Sequence, residues 1–454
     1  MRRWNSEQIA QAAGARVASA RDSEGGPERA VIDSREAGPD VLFIGLPGSQ
    51  TDGGRFAGAA LEAGAWGAIV AEEHVESARQ PGTGGAILVA SDPLRALQRL
   101  ATAWRRELGA RVIGVTGSTG KTSTKDLLLT VLAPHVRTVA SRANFNTEVG
   151  LPLEVLAAPA GTEVLVLEMA MRGAGQIAEL AEIAEPDVGV IVSIGPVHLE
   201  LLGTIEAIAA AKAELVAGLP SGATAVVPAS EPLLEPHLRA DVETITFGEG
   251  GDVRLLDAEG DRLRIQAPGG VIDLEVSFTQ AHLRRNLLAA VAAAGAVGVV
   301  PSGRVELALT PGRGQRARLG SGVTLIDDCY NANPMSMRAA LEDLAESARN
   351  EAGSRRVAVL GDMLELGPDE HGFHAEVGEQ AAQAGVELLV TVGPRAAAMS
   401  EHFAGHVCSV QDAAEAATVV PELLHTGDVV LVKGSRGVGL ELVCRALRNG
   451  GDGS

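Results

Sequence analysis

Aromatic residues make up only 2% of this 454-residue sequence, with one tyrosine, three tryptophans and seven phenylalanines. A chain so poor in rings offers few platforms on which bases could stack. Basic residues are also short: 38 Lys and Arg stand against 58 Asp and Glu, for a formal charge of −20. Such a surface repels polyanions, so nucleic acid is not expected as a partner. Long apolar runs are missing too. The greasiest stretch, LLAAVAAAGAVGVV from Leu287 to Val300, is mostly Ala and Gly and is closed by Pro301. It falls short of the roughly 20 residues that span a bilayer and suits a buried helix. The opening MRRWNSEQIAQAAGARV has no apolar stretch of signal-peptide type. Three cysteines, Cys329, Cys408 and Cys444, are far apart and share no metal-type spacing, so neither disulfides nor zinc is expected. The expectation is a cytoplasmic protein that holds any anionic ligand by local devices.

At about 150 residues per domain, this length implies about three domains. Residues 1–106 alternate strand-like runs (AVIDS, DVLFIGL, GAIVA, AILVA) with Ala-rich stretches, and Ala96 to Leu108 reads as a helix leading out. Residues 107–310 open with RVIGVTG and continue with EVLVLEM and DVGVIVSIG, apolar runs of the kind that fill a parallel sheet. Within them GDVRLLDAEGDRLRIQAPGGVIDLEV alternates and turns at glycines, like antiparallel strands, and a helix is expected from Arg285 to Val297. Residues 311–454 carry VTLIDD, RRVAVLGD, ELLVTVG and DVVLVKG between helical stretches, a second α/β unit. The fold class expected is therefore α/β in three domains, the central one a parallel sheet with small antiparallel strands.

The richest local signal is VIGVTGSTGKTSTKD, Val112 to Asp126. Strand, glycine turn, Lys-Thr and helix are what a phosphate loop requires. Glycines let backbone N–H groups close around phosphate oxygens, and the helix N-terminus adds positive potential. Gly117, Ser118, Thr119, Gly120, Lys121, Thr122 and Ser123 form the candidate cradle. Lys121 would reach the β- and γ-phosphates, and Thr122 would offer its hydroxyl to Mg²⁺. The common pattern G-x-x-x-x-G-K-[ST] fails at one place, where the sequence has Val115.

The departure matches a different lineage. G-V-T-G-S-T-G-K-T resembles the loop of the Mur ligase family, ATP-dependent amide-forming enzymes of peptidoglycan synthesis, and the resemblance runs from Asp33 to about Leu447. It implies an N-terminal uridine-nucleotide module, a central ATP-binding domain and a C-terminal Rossmann-like domain. Glu168, in EVLVLEMAM, stands where the family has a magnesium ligand, with Ala170 in place of its usual glycine. His198 and Lys212, in PVHLELLGTIEAIAAAKAEL, stand where the family places a second magnesium ligand and a lysine carbamylated by CO₂. By composition alone, a Glu at a strand end and a Lys on an Ala-rich helix are ordinary solvated residues, and a lone His is structural. The resemblance thus implies two Mg²⁺ ions, held by Thr122, Glu168, His198 and carbamylated Lys212, with Lys121, His198 and Lys212 as catalytic groups.

Further matches extend the implied site. Asn144, Asn146 and Thr147, with Gly150 and Pro152, match a segment beside the reacting groups, though Asn and Thr there could equally cap a helix. His282 and Asn286 match a segment facing adenosine, with Leu283 replacing an asparagine. Arg313 and Asp328 are implied to reach back to ATP, and Asn331 and Asn333 to contact substrate. Lys433 and Arg436, in KGSRG, are placed to meet a carboxylate. Asp33, Ser34 and Arg35, with FIGLPG and DGGRF, match the uridine-nucleotide module, Ser34 and Arg35 suiting a diphosphate; Gly54 departs from D-G-[HR]-x-F. The strings DCYNANP and KGSRG point to the branch that joins D-alanyl-D-alanine to UDP-N-acetylmuramoyl-tripeptide. They argue against the alternatives, another amino-acid-adding member or a folylpolyglutamate-type ligase. A non-catalytic nucleotide switch is the reading outside enzymes. A monomer is expected.

Overall fold

The computed structural model describes residues 1, 3–21, 25–79, 84–142, 144–349 and 354–450. Four sheets organise it. In the N-terminal sheet the strands run in the order Arg16–Ser19, Ala86–Val89, Gly67–Val70, Val41–Ile44 and Arg29–Val31, the first antiparallel and the others parallel. Helix Pro93–Leu108 leaves this sheet. Asp92 accepts from the N–H groups of Leu94 and Arg95, proline fills the first turn and Gly109 at φ 61 ends the helix. It therefore starts before the expected Ala96.

The central sheet is wholly parallel, in the order Glu243–Phe247, Thr224–Pro228, Val188–Ile191, Arg111–Thr116, Val164–Glu168 and Thr138–Ala140. One of its faces shares an apolar core with the N-terminal sheet: Leu42, Ile44, Ile69 and Leu88 pack with Leu97 and Leu100 of the connecting helix and with Val112, Leu165 and Leu167. The other face carries helices Lys121–Leu132 and Ala281–Ala296 and a four-stranded sheet. Three strands of that small sheet, Arg254–Glu259, Arg262–Ala267 and Gly270–Val276, are antiparallel, as their alternation requires, and Gly303–Val305 joins parallel to the last. Helix Ala281–Ala296 begins one turn before the expected Arg285. Gln280 ahead of it makes no side-chain cap, so the start carries no sequence mark. Its Ala-rich body is the apolar run noted above, and it is buried.

In the C-terminal sheet, Thr324–Asp327, Val429–Lys433, Arg356–Gly361, Leu388–Val392 and His406–Val410 are parallel, and Gln315–Arg318 adds an antiparallel edge. Alternate residues of one strand enter opposite cores: Ala358 and Leu360 on one side, Val357 and Val359 on the other. Among the described residues, no helix is long and apolar enough to cross a membrane.

Candidate active site

Strand Arg111–Thr116 lies between Val188–Ile191 and Val164–Glu168, so three parallel carboxyl ends meet along one rim. Ligands of open α/β sheets bind outside this rim. The first strand feeds the glycine turn. Gly120 sits at φ 80, and a Cβ there would stand 2.8 Å from Asn286 Oδ1 and 2.9 Å from Val192 Cγ1. Glycine is required on both counts.

The second strand end anchors that turn. Ser118 N–H donates to the Ser193 carbonyl at 2.9 Å, Thr119 N–H to Ser193 Oγ at 2.9 Å, and the Ser118 hydroxyl to the Gly195 carbonyl at 3.0 Å. Ser118 and Thr119 therefore hold the loop in shape with their N–H groups. The first bond of helix Lys121–Leu132 runs from Thr124 N–H to the Gly120 carbonyl at 2.9 Å. The N–H groups of Lys121, Thr122 and Ser123 thus belong to the open helix start, the favourable end for an anion. Lys121 Nζ donates to the Gly117 carbonyl at 2.7 Å. Burial lowers its pKa, Glu168 opposes that and Arg313 adds to it.

The third strand ends in Glu168, which is 3% exposed. It is not the solvated residue that composition suggests. Thr122 Oγ1 donates to its Oε2 at 2.8 Å, Asn146 Nδ2 to its Oε1 at 2.8 Å, and its own N–H bonds Ser141 Oγ at 3.0 Å. Ala170, the departure from the family pattern, keeps the loops together by donating its N–H to the Asn146 carbonyl at 2.9 Å. A buried carboxylate converging with a threonine hydroxyl is an oxygen donor set of the hard-cation kind.

His198 follows the Val188–Ile191 strand at φ 55, and its Nδ1 closely contacts the carboxylate of Glu365, itself at φ 62. Arg172 Nη2 closes this cluster on Glu365 at 2.6 Å. Burial holds the imidazole below the ordinary histidine range against the pull of Glu365. Burial raises Glu365, but His198 and Arg172 outweigh it and keep the carboxyl low. A neutral imidazole that donates from Nδ1 leaves the Nε2 lone pair for a cation. Glu365 and Arg172 are not among the expected site residues, because their meeting with His198 joins positions far apart in the chain. Lys212 is 2% exposed, far from the solvated lysine that its Ala-rich helix suggests. Burial pushes its ammonium well below the ordinary lysine range, and the charge of Lys121 pushes the same way.

The opposite wall comes from the C-terminal sheet, where strands Thr324–Asp327 and Val429–Lys433 are neighbours. Lys433 Nζ donates to Asp328 Oδ2 at 2.6 Å and to the Asn331 carbonyl at 2.9 Å. Burial raises Asp328 and Lys433 opposes it. Tyr330, the chain's single tyrosine, has two guanidinium groups over its ring, Arg313 at 4.2 Å and Arg436 at 5.3 Å from the centroid. One cleft is lined by Lys121, Thr122, Glu168, Asn286, Arg313 and Asp328, with Asn331, Asn333 and Lys433 at its C-terminal side. His282 also lines it.

Other expected site residues have local partners. Asn333 Oδ1 accepts from Ser336 N–H at 2.9 Å and so caps helix Pro334–Arg349. Thr147 Oγ1 accepts a long 3.4 Å bond from Gly150 N–H at the start of helix Gly150–Ala157, and Asn144 is exposed beside it. Asp33 accepts from both the N–H and the Nε of Arg35, making DSR a capped turn that carries Ser34. At Gly54 a Cβ would stand 2.1 Å from the His74 ring, and His74 Nε2 lies 2.9 Å from Asp52. The ring of His74 fills the space that a side chain at 54 would need, which accounts for the glycine there.

Comparison with known proteins accords with this geometry. The Mur ligase middle domain matches residues 115–294, and the Mur ligase, glutamate ligase domain matches residues 312–436. The UDP-N-acetylmuramoyl-tripeptide–D-alanyl-D-alanine ligase of Bacillus subtilis (strain 168) is 37% identical over 431 residues, covering 91% of this chain and 92% of the relative. The chain belongs to the Mur ligase family. Among solved Mur ligases, MurF from Acinetobacter baumannii has a TM-score of 0.86 at 29% identity, over 98% of this chain and 99% of that one. MurF ligase from Thermotoga maritima in complex with ADP has a TM-score of 0.79 at 30% identity, over 93% of this chain and 97% of that one.

Proposed function

We propose that this Mur ligase joins D-alanyl-D-alanine to UDP-N-acetylmuramoyl-tripeptide, cleaving ATP to ADP and phosphate through an acyl phosphate of the tripeptide. The observation that carries the reading is the convergence of the glycine turn, Thr122 and buried Glu168 on one rim, facing Asp328 and Lys433 across a cleft. The match of whole chains at 37% identity to a ligase of that name supports the choice of substrates. Residues 1–106, 107–310 and 311–454 divide the work as uridine-nucleotide, ATP and ligase domains. A cytoplasmic monomer is part of the same proposal.

In this account the Gly117–Ser123 turn receives the triphosphate and Lys121 lies along its outer end. Asn286, Arg313 and Asp328 hold the nucleoside side. Thr122 and Glu168 suit one magnesium ion, and His198 through Nε2 suits another together with carbamylated Lys212. Bound there, magnesium supplies neutralising charge for phosphoryl transfer to a carboxylate. Lys212 becomes a ligand by attack of its neutral amine on carbon dioxide: an N–C bond forms, a proton leaves the nitrogen and an anion replaces a cation. Burial favours that neutral amine. The acyl phosphate is shielded from water as the two walls approach. Asn146 fixes Glu168, while Asn144 and Thr147 present the adjoining loop to the tripeptide. Ser34 and Arg35 face the uridine diphosphate, and Asn331 and Asn333 the peptide. Arg436 is the open cation for the dipeptide carboxylate; Lys433 holds Asp328 and reaches that carboxylate on leaving it.

Two tests address this reading. Phosphate release with UDP-N-acetylmuramoyl-tripeptide should rise when D-alanyl-D-alanine is added; turnover indifferent to the dipeptide contradicts the assignment. Gly120→Ala adds a methyl group in a left-handed conformation, a cost of roughly 1–3 kcal/mol. ADP affinity measured by calorimetry should fall about ten-fold or more. Unchanged affinity would remove the turn from the nucleotide site.

A further inference from the structure

The fold undoes the separation of the cysteines that the sequence displays. Strand Thr324–Asp327 ends at Asp327, Cys329 follows two residues on, and Cys444 lies on the C-terminal helix Glu441–Gly450. Exposure is 4% for Asp327, 7% for Cys329 and 1% for Cys444. A carboxylate oxygen of Asp327 and the Sγ atoms of Cys329 and Cys444 lie within 4.8 Å of one another. Arg448 Nη2 donates to Asp327 Oδ2 at 2.7 Å. Asp327 Oδ1 is buried with no hydrogen bond of normal geometry among the described residues, and the Cys329 and Cys444 thiols that face Asp327 are weak donors. An acceptor buried in that way costs roughly 1–3 kcal/mol unless a donor or cation meets it.

We infer that Asp327, Cys329 and Cys444 form a site for a thiophilic divalent cation of the zinc class. Charge supports this. Two thiolates and a carboxylate carry −3, the ion +2 and Arg448 +1, so the buried group is neutral: −3 + 2 + 1 = 0. Arg448 on the second carboxylate oxygen is the outer partner that orients a metal-binding carboxylate. Zinc–sulfur bonds of about 2.3 Å in a tetrahedron separate ligand atoms by about 3.8 Å, which accords with the spacing of these three. Binding breaks two S–H bonds, releases two protons to solvent and leaves the fourth position to water. A disulfide between the two cysteines would do nothing for Oδ1.

The site has a structural consequence. Cys329 lies between Asp328, which receives Lys433, and Tyr330, which receives Arg313 and Arg436. An ion there fastens the C-terminal helix to the strand end that supplies one wall of the cleft.

Cobalt(II), added to the full-length protein reduced with a phosphine under argon, is the probe. Thr122 with Glu168, and Asp52, Glu73 and His74, whose ligand atoms lie within 4.8 Å of one another, offer no sulfur, so only a thiolate site yields a sulfur-to-cobalt charge-transfer band. One equivalent should develop that band, an equivalent of Zn²⁺ should abolish it, and the melting temperature should rise. Cys329→Ser and Cys444→Ser should each lose the band, and Cys408→Ser should keep it. Asp327→Asn retains both thiols and should weaken Co²⁺ at least about ten-fold, which covers the case where a serine variant fails to fold. No band at about ten-fold excess of Co²⁺ overturns the inference. So does a band that survives both cysteine variants, or a Cys329–Cys444 disulfide in the isolated protein with no band after reduction.

Discussion

Replacing Lys121 with alanine is expected to lower dipeptide-stimulated phosphate release by about 10²–10³-fold or more, the scale on which removal of a preorganised charge from a transition state is felt. Lys121 opens the helix at the mouth of the glycine turn, tethered to the Gly117 carbonyl at 2.7 Å. A triphosphate entering the turn offers that ammonium a better partner than a neutral carbonyl, and the shared charge grows as the outer phosphoryl group departs. Burial weakens the proton's hold on Lys121, and Glu168 restores it, so the two residues are electrostatically coupled. Lys121→Ala should melt at nearly the wild-type temperature, because the side chain is no part of an apolar core. Steady-state phosphate release with both substrates is the measurement. A near-normal rate would mean that the turn does not hold the transferred phosphate.

Lys212→Ala is expected to cost turnover on a similar scale, for a different reason. A bare ammonium at Lys212 adds to the charge of Lys121, where two metal ions are proposed to gather. The proposed carbamate would reverse the sign. Carbon dioxide needs the unprotonated amine, and burial, aided by Lys121, keeps that form accessible well below the ordinary lysine range. In protein equilibrated with ¹³C-bicarbonate at neutral pH, one carbamate resonance should appear, and it should be absent from Lys212→Ala. Acetate, a small diffusible carboxylate, should restore part of the variant's rate. Full activity of Lys212→Ala, or no resonance in the wild-type protein, contradicts the role.

The sequence disclosed those parts of the site that depend on neighbours in the chain. A glycine turn between a β-branched strand and a helix has to be written locally, because the turn itself needs φ above zero at Gly120. The parallel central sheet, the antiparallel strands beyond Arg254 and the C-terminal α/β unit were legible for the same reason, since burial on one or both faces leaves its period in each strand. Short edge strands such as Arg16–Ser19 and Gln315–Arg318 leave too few residues for a period to register. What could not be read locally was burial created by distant packing. Nothing around Lys212 announces that its helix turns it inward. His198 meets a carboxylate 167 positions away, and the Asp327, Cys329 and Cys444 cluster closes only once the C-terminal helix packs against the sheet. Asn333 teaches the converse lesson: a residue that matches a substrate segment also caps a helix, and the local bond is the one present in the fold.

The central claim is that the γ-phosphoryl group passes to a carboxylate oxygen of the tripeptide before the dipeptide arrives. Tripeptide labelled with ¹⁸O in its reacting carboxylate, turned over with ATP and D-alanyl-D-alanine, tests this directly by mass analysis of the inorganic phosphate. Transfer of one labelled oxygen to phosphate for each peptide bond formed is the expected result; phosphate carrying no label would contradict the mechanism.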